Sequence, residues 1–217
     1  MSNIGRTHIT DDVEISKLQC HGDYVLVEVY DRTRTSGGLH LVEGKGTECM
    51  IGKVLSVGKE LPNSYDGKGY PIGIEVGEEI LTMEYVGERM VNEHGTFRFL
   101  HAHGVWAKVK LRDRASFDIK EIEPCFAFML VEPIDDEVTK GGIYLAQGHD
   151  AQENMRKAKI IKVGPGQWDA RTGKRIPLPF EAGDGILMLR YAGADVTVNG
   201  KKLRLIDYAD VKCGWEG

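Results

Sequence analysis

The stretch Tyr24-Val-Leu-Val-Glu28 recurs later in the chain as Phe128-Met-Leu-Val-Glu132. Further matches follow in the same order: Val57-Gly58 with Val163-Gly164, Val76-Gly77 with Ala182-Gly183, and Tyr85-Val-Gly87 with Tyr191-Ala-Gly193. The offset is 104 residues up to the double glycines at 37–38 and 141–142, and 106 residues after them. A repeat of this length is a whole domain and exceeds any solenoid unit, so two copies of one domain are predicted.

The second copy carries two extra residues, which fall between Leu145 and Ile160. Insertions are tolerated in surface loops and not in packed strands. This segment is therefore predicted to be a loop in both halves.

The local pattern in each half is typical of short β-strands. Val25, Val27 and Val29 alternate with their neighbours, which has the period of a strand, and further strands are predicted at 50–57 and 80–83. Asn199-Gly200 stands between two alternating apolar runs and predicts a hairpin with a tight type I′ turn. No segment has a sustained helical period with capping signals at both ends, so the prediction is all-β, with a barrel or sandwich in each half.

The predicted organisation has four parts. They are a polar N-terminal leader at 1–19, a first domain at 20–111, a linker at 112–122 and a second domain at 123–217. The linker is rich in charges of both signs, and these side chains are expected to be solvated between the two domains: Arg112, Asp113, Arg114, Asp118, Lys120 and Glu121.

Composition excludes several classes of function. The net charge of -5 with mixed signs argues against a nucleic-acid or membrane-surface partner, and no apolar run is long enough for a membrane span. The first seventeen residues have no apolar core of a signal peptide, so a cytoplasmic protein is expected, or one of the plastid stroma if a transit segment was removed. The four cysteines form no C-x-x-C pair and are expected to be free thiols.

The ordered set of motifs, found once in each half, resembles the GroES-type co-chaperonin family, the chaperonin small subunits. The tandem arrangement is similar to the double co-chaperonin of chloroplasts. The first copy departs most from the pattern, with Glu78-Glu79 where Asp184-Gly185 stands in the second. The resemblance implies two tandem GroES-like β-barrels and a non-enzymatic chaperone without a cofactor of its own. It also implies a GroEL-type chaperonin as the partner, which binds the ATP that drives client folding.

In that family the loop around the double glycine is mobile and docks onto the chaperonin. By resemblance the binding residues here are Gly37, Gly38, Leu39, His40, Leu41, Gly141, Gly142, Ile143, Tyr144 and Leu145. Residues i and i+2 of an extended segment point the same way, so each loop carries a pair of apolar side chains on one side. The plain alternative is that these pairs fold back and anchor the loops on the barrels. Segments 31–47 and 135–157 are expected to be disordered in the free protein, because they offer too little apolar area to offset ordering.

The resemblance also raises the question of symmetry. The single-domain family forms rings of seven, whereas two fused domains contribute only even numbers. A closed homo-oligomeric ring of three or four chains is therefore expected, or a mixed ring with a single-domain co-chaperonin. In the family the hairpins that begin at Tyr85 and Tyr191 form the roof of the dome. The plain interpretation, an ordinary hairpin with an aromatic anchor, is compatible with that role.

Other functions fit less well. An enzyme built on a GroES-like barrel, as in medium-chain alcohol dehydrogenases, needs a nucleotide-binding domain that this chain does not supply. An oligonucleotide-binding barrel needs a basic groove with aromatics, yet the chain is acidic and 8% aromatic. A GroES-like barrel with a binding role unrelated to chaperonin stays open. His94, His101 and His103 suggest a zinc site, but too few ligands stand at defined spacing, and surface histidines are favoured.

Overall fold

The computed structural model describes residues 14–30, 49–62, 65, 67–112, 117–134 and 155–217. The regular structure of these residues consists of β-strands and short 3₁₀ turns, with no α-helix, which confirms the all-β prediction. The 3₁₀ turns are Ile15–Lys17, Ala102–Gly104, Ile119–Glu121 and Tyr208–Asp210. No helix in this part of the chain has the length and apolar character needed to cross a membrane.

The strands of the first half lie in one antiparallel sheet of seven strands. They are β1 (Tyr24–Val29), β2 (Cys49–Val57), β3 (Glu79–Met83), β4 (Glu88–Asn92), β5 (Gly95–His101), β6 (Ala107–Val109) and β7 (Ile122–Pro124). Their order across the sheet is β4-β5-β1-β2-β3-β6-β7. The last of them, β7, comes from the region between the two halves.

Eight strands follow in the second half. They are β8 (Phe128–Pro133), β9 (Met155–Val163), β10 (Gln167–Trp168), β11 (Arg175–Ile176), β12 (Gly185–Leu189), β13 (Ala194–Val198), β14 (Lys201–Asp207) and β15 (Val211–Trp215). Six of them form a sheet in the order β13-β14-β8-β9-β12-β15, and β10 pairs with β11 separately. This six-strand order repeats the first six strands of the first sheet, so the sequence repeat is also a repeat of topology.

The equivalence extends upstream of the first strand of each half. The 3₁₀ turn Ile15–Lys17 precedes β1 at the same distance as Ile119–Glu121 precedes β8, an offset of 104 residues. After the loop segments the offset is 106 residues, from Cys49–Val57 to Met155–Val163. The two extra residues of the second copy therefore fall between β8 and β9, outside both strands.

Equivalent positions form the apolar core of each half. Val25, Val27 and Ile80 lie in the core of the first half, and their counterparts lie in the core of the second: Met129, Val131 and Ile186. Leu26 points away from this core yet is also fully buried, because a second cluster with Met90 and Phe97 covers the outer face of β1. Strand β1 is thus buried on both faces, although alternation in sequence is typical of a strand with only one buried face.

The hairpin predicted at Asn199-Gly200 is confirmed. Strands β13 and β14 pair from Ala194 with Leu205 to Val198 with Lys201. Both turn residues have positive φ, 52° at Asn199 and 77° at Gly200, as a type I′ turn requires.

An apolar cluster joins the two halves. It joins Leu81, Ala107 and Val109 of the first half to Leu130 and Leu205 of the second. Ile122 of β7 lies in the same cluster and is fully buried. The halves therefore pack against each other. We call the surface where residues of the first copy contact residues of the second copy the seam.

The expectation that the charged linker side chains are solvated is wrong for Asp118 and Glu121. Arg112 pairs with both carboxylates, at 3.6 Å for Glu121, and both are half-buried. Asn199 also donates a hydrogen bond to Asp118 at 2.9 Å, which connects the linker to the hairpin turn of the second half. Arg112, Asp118 and Glu121 are thus paired with one another, and these described residues of the linker are held against the fold.

The segments expected to be disordered lie mostly outside the described residues. The exception is 155–157, which the structure places in β9, and there the prediction is wrong. Lys157 pairs with Leu187 of β12, so the ladder of hydrogen bonds orders these residues despite their polar composition.

Candidate partner-binding site

The ten residues predicted to bind a partner, at 37–41 and 141–145, lie outside the described residues. The structure describes the strands on either side of them. Segment 31–48 joins β1 to β2, and segment 135–154 joins β8 to β9, which are neighbouring antiparallel strands in each sheet. Each segment therefore leaves and re-enters its barrel at the same end of one strand pair.

The bases of both segments are fixed by hydrogen bonds beyond the last paired strand residues. In the first half, the backbone amide of Tyr30 donates to the carbonyl of Ile51 at 3.0 Å. In the second half, the amide of Ile134 donates to the carbonyl of Lys157 at 2.9 Å. The two long connections thus start from equivalent positions, each held by a backbone hydrogen bond.

Two exposed tyrosines mark a second repeated feature. Tyr85 is 79% exposed and Tyr191 is 82% exposed, each in the turn before a β-hairpin. Because neither ring is buried, the interpretation as an aromatic anchor is wrong. The glycine two residues later is required by the backbone: φ is 77° at both Gly87 and Gly193, and an added Cβ at Gly193 would lie 2.0 Å from the carbonyl oxygen of Leu205.

Aromatic side chains pack across the seam. Trp106 stacks on Phe128 with ring centroids 4.8 Å apart. Tyr70 stacks on Trp168 at 5.1 Å with nearly parallel planes, and Arg175 lies 4.8 Å above the Trp168 ring. A cavity of about 430 Å³ opens beside this stack. Sequence reasoning missed the seam, since nothing in a single strand pattern shows which residues of one copy meet the other.

The titratable groups at the seam are shifted toward their neutral forms. His103 packs against Phe126 at 4.5 Å, and partial burial lowers its pKa, although Asp23 and Asp207 act in the opposite direction. Burial raises the pKa of the Cys125 thiol to about 12. Both groups are therefore uncharged near neutral pH, which suits an apolar contact between the halves.

The histidines considered for zinc do not converge. His101 ends β5, interacts with Asp23 at 3.1 Å and packs on Tyr24, whereas His103 lies in the following 3₁₀ turn. Within the described ranges, no group of three or more His, Cys, Asp or Glu residues could hold a metal ion.

Comparison with known proteins agrees with this architecture. The family model of the chaperonin 10 kDa subunit matches residues 17–109 and, a second time, residues 121–214. A co-chaperonin GroES of Methylacidiphilum infernorum is 36% identical over 98 residues, which cover 45% of this chain and 96% of that protein. The chloroplastic 20 kDa chaperonin of Spinacia oleracea is 24% identical over 193 residues, which cover 88% of this chain and 72% of that protein.

The fold defines a class of protein: a tandem pair of β-barrels in which a long connection joins the same two strands of each copy. Because the family match covers most of the chain in two copies, the chain belongs to the chaperonin 10 kDa subunit family. Its architecture is two tandem GroES-like β-barrels, as the sequence predicted. The family is one of chaperones and not of enzymes, and the names of the relatives support a co-chaperonin role.

Proposed function

We propose that the chain caps a GroEL-type chaperonin ring through two mobile loops and so assists ATP-dependent protein folding. The observation that carries this proposal is the double family match, combined with two equivalent anchored strand pairs that flank the loop segments. The chaperonin binds and hydrolyses the ATP. The protein acts in the cytoplasm, or in the plastid stroma if it is the mature form of an imported protein.

The chemistry of the predicted loop residues supports docking into an apolar groove. Leu39 with Leu41, and Ile143 with Leu145, would each bury two large apolar side chains, worth roughly 3–6 kcal/mol per loop at ~1.5–3 kcal/mol per side chain. Ordering a loop of this length costs a comparable free energy. One loop therefore binds weakly, and several loops on one assembly bind well through their effective concentration.

We further propose that the domains, at 20–111 and 123–217, assemble into a closed ring of three or four chains. A mixed ring with a single-domain co-chaperonin is the alternative composition. A weakly binding loop at each position makes a mismatch with the symmetry of the partner tolerable, because not every loop has to dock at once.

The decisive experiment is capture of the purified chain by a GroEL-type ring, with and without ATP, followed by assisted refolding of a client. The double variant Leu41→Asp with Leu145→Asp should lose both activities, since a charge in an apolar groove is desolvated without a partner. Each single variant should lose less.

The matched control places the same charge at the middle residues, as His40→Asp with Tyr144→Asp. These side chains face away from the apolar pair in an extended segment, so this variant should keep most of its refolding activity. If both double variants behave alike, the apolar pairs are not the docking residues. If ATP-dependent capture is absent in the unaltered chain, the binding role of the protein does not involve chaperonin.

A further inference from the structure

The hairpin of β4 and β5 in the first half carries two arginines directly opposite each other. Arg89 of β4 is the cross-strand partner of Arg98 of β5. Directly opposite side chains lie on the same face of the sheet, with Cβ atoms about 4.5–5.5 Å apart, and like charges in such a pair are destabilising. The hairpin thus brings two positive charges to one place.

The second half has the same hairpin with a different charge at one position. The residues 106 positions later are Asp195 and Arg204, which are again a cross-strand pair. The Nε of Arg204 donates a hydrogen bond to Oδ1 of Asp195 at 2.7 Å, and its Nη1 donates to the carbonyl oxygen of Arg190 at 2.9 Å. Arg204 is buried. In the second half the buried guanidinium group is therefore balanced by a carboxylate of the chain itself.

Arg98 in the first half makes only the backbone contacts of this arrangement. Its Nη1 donates to the carbonyl oxygens of Val86 at 3.1 Å and Gly87 at 3.3 Å. Across the described part of the chain, the ion pairs with carboxylates include neither Arg89 nor Arg98. The carboxylate that faces Arg204 in the second half is thus replaced by a second cation in the first.

The electrostatic setting of Arg98 is unfavourable for its charge. Burial lowers the pKa of Arg98, and the neighbouring charge of Arg89 lowers it further, whereas Glu84 acts in the opposite direction. Glu84 is an exposed residue of the turn before β4, and its charge reaches Arg98 at longer range than an ion pair. The guanidinium group stays protonated nonetheless, because arginine does not deprotonate in proteins. An anion beside both arginines would balance a partly desolvated charge and reduce the repulsion between the two.

We propose that Arg89 and Arg98 bind an oxyanion from outside the chain, a carboxylate or phosphate group, in the way that Arg204 binds the Asp195 carboxylate in the second half. Guanidinium groups are planar and hold such groups through parallel N–H···O bonds. The group could belong to a phosphorylated small molecule or to an acidic side chain of a polypeptide. This goes beyond the proposed function, since the hairpin lies outside the loop segments and the site needs no chaperonin.

The plain alternative is a pair of solvated surface arginines, and the positions of the two residues argue against it. Arg98 is half-buried, and its two backbone contacts fix the guanidinium group before any ligand arrives. Arg89 is exposed, because β4 is the outermost strand of its sheet, so an anion can reach the pair from solvent. One fixed donor beside one accessible donor is a preorganised arrangement, which lowers the cost of binding.

The first test is a nuclear magnetic resonance titration of the full chain that follows the Nε–Hε signals of its arginines. Sodium phosphate and sodium acetate are the two probes, and sodium chloride keeps the ionic strength constant, since an exposed site is screened by salt. We expect saturable shifts at Arg89 and Arg98 and none at Arg204. A larger response to phosphate points to phosphorylated small molecules, and a larger response to acetate points to acidic side chains. No saturable shift with either probe would overturn the proposal.

The variant Arg89→Asp reproduces the charges of the second half and should lose the site. Its own carboxylate would pair with Arg98, so the affinity for the added anion should fall about tenfold or more. Arg89→Lys is the matched control: it keeps the charge without the planar fork and should weaken binding only about threefold. If Arg89→Asp binds the anion as tightly as the unaltered chain does, the proposal is wrong.

Thermal unfolding of the same variants provides a second measurement. A ligand that binds the folded state raises the unfolding temperature, so the better of the two probes should stabilise the unaltered chain but not Arg89→Asp. In chloride alone Arg89→Asp should unfold at the higher temperature, because it replaces repulsion by an ion pair like that of Asp195 with Arg204. An equal rise with the anion in both proteins would place the binding elsewhere and overturn the proposal. Chaperonin is absent from both tests, so their outcome is independent of the docking proposal.

Discussion

Gly22 and Phe126 occupy equivalent positions just before the first core strand of each half, and both have a left-handed backbone. The φ angle is 60° at Gly22 and 47° at Phe126. Glycine adopts this conformation without strain, whereas a bulky residue in it is an outlier. The phenylalanine ring, however, is 97% buried at the seam, since only 3% of Phe126 is exposed. The second copy therefore keeps a strained backbone at the position where the buried Phe126 ring holds the two halves together.

The most direct test of this comparison is to remove the Phe126 ring. Phe126→Ala should lower the free energy of unfolding by about 3–5 kcal/mol, because a buried aromatic is lost and a cavity remains. Phe126→Gly should be more stable than Phe126→Ala by about 1 kcal/mol, since only glycine relieves the strained φ. Urea unfolding measures both. Alanine at least as stable as glycine would mean that the left-handed backbone does not persist.

The stacked pair at the seam should give the next largest effect. Trp168→Ala removes a half-buried ring from Tyr70 and should cost about 2 kcal/mol, roughly half the value for a fully buried ring. Arg175→Ala is the matched control: it removes only the cation above the same ring and should cost about 0.5–1 kcal/mol. Equal losses would show that the stack adds nothing to the seam.

A smaller loss is expected from Gly22→Ala in the first copy. No atom lies within 4 Å of the added Cβ, so the only cost is the left-handed backbone, about 1 kcal/mol. Gly200→Ala, with φ 77° and equally open space, provides a second measurement of the same strain. A neutral result at both positions would contradict the backbone argument for Phe126 as well.

The smallest effect concerns pH, because His103 keeps part of its ring exposed. Its pKa is lowered in the folded protein, so the unfolded chain takes up the proton first as the pH falls below about 6.5. Stability should therefore be unaffected by this group above that pH and decrease below it. The urea midpoint of the unaltered chain should fall more between pH 7.5 and pH 5.5 than that of His103→Ala.

His103→Ala makes the first copy like the second, which has Ala209 at the equivalent position. His94→Ala serves as the control, since the His94 ring is exposed and contacts Glu93 at the surface. If His94→Ala flattens the pH dependence as much as His103→Ala does, the seam is not the origin of the effect.

Much of the fold could be predicted from sequence because both copies carry local signals. Asn199-Gly200 fixes a turn by its own backbone preferences, and the alternation at 25–29 indicates a strand without reference to other residues. The pairing of β7 with β6 could not be predicted, since Ile122–Pro124 is short and follows a charged segment. Its cause is the apolar seam, which only the packing of the two copies reveals.

For the candidate site, the residues that would contact the partner are predicted from the sequence and lie outside the described structure. The paired apolar residues at 39–41 and 143–145 stay a prediction, whereas the strands that anchor their segments match the expected order. The error at 155–157 has a physical origin. Composition measures the apolar area of a segment, but a strand next to β12 is ordered by backbone hydrogen bonds that composition does not register.

Strand β7 has a consequence for synthesis on the ribosome. The first copy is translated up to Val109 before Ile122, which covers it, has been made. At ~5–20 residues per second the edge of β6 stays open for about 1–3 s. During that time it is an unpaired edge, which can pair with an extended segment of a neighbouring nascent chain in place of its own β7. The chain's own β7 is favoured, because it is tethered to β6 and so has a high local concentration. The fraction of chains that pair wrongly should increase with crowding of nascent chains on a polysome and with pauses in translation between codons 110 and 124.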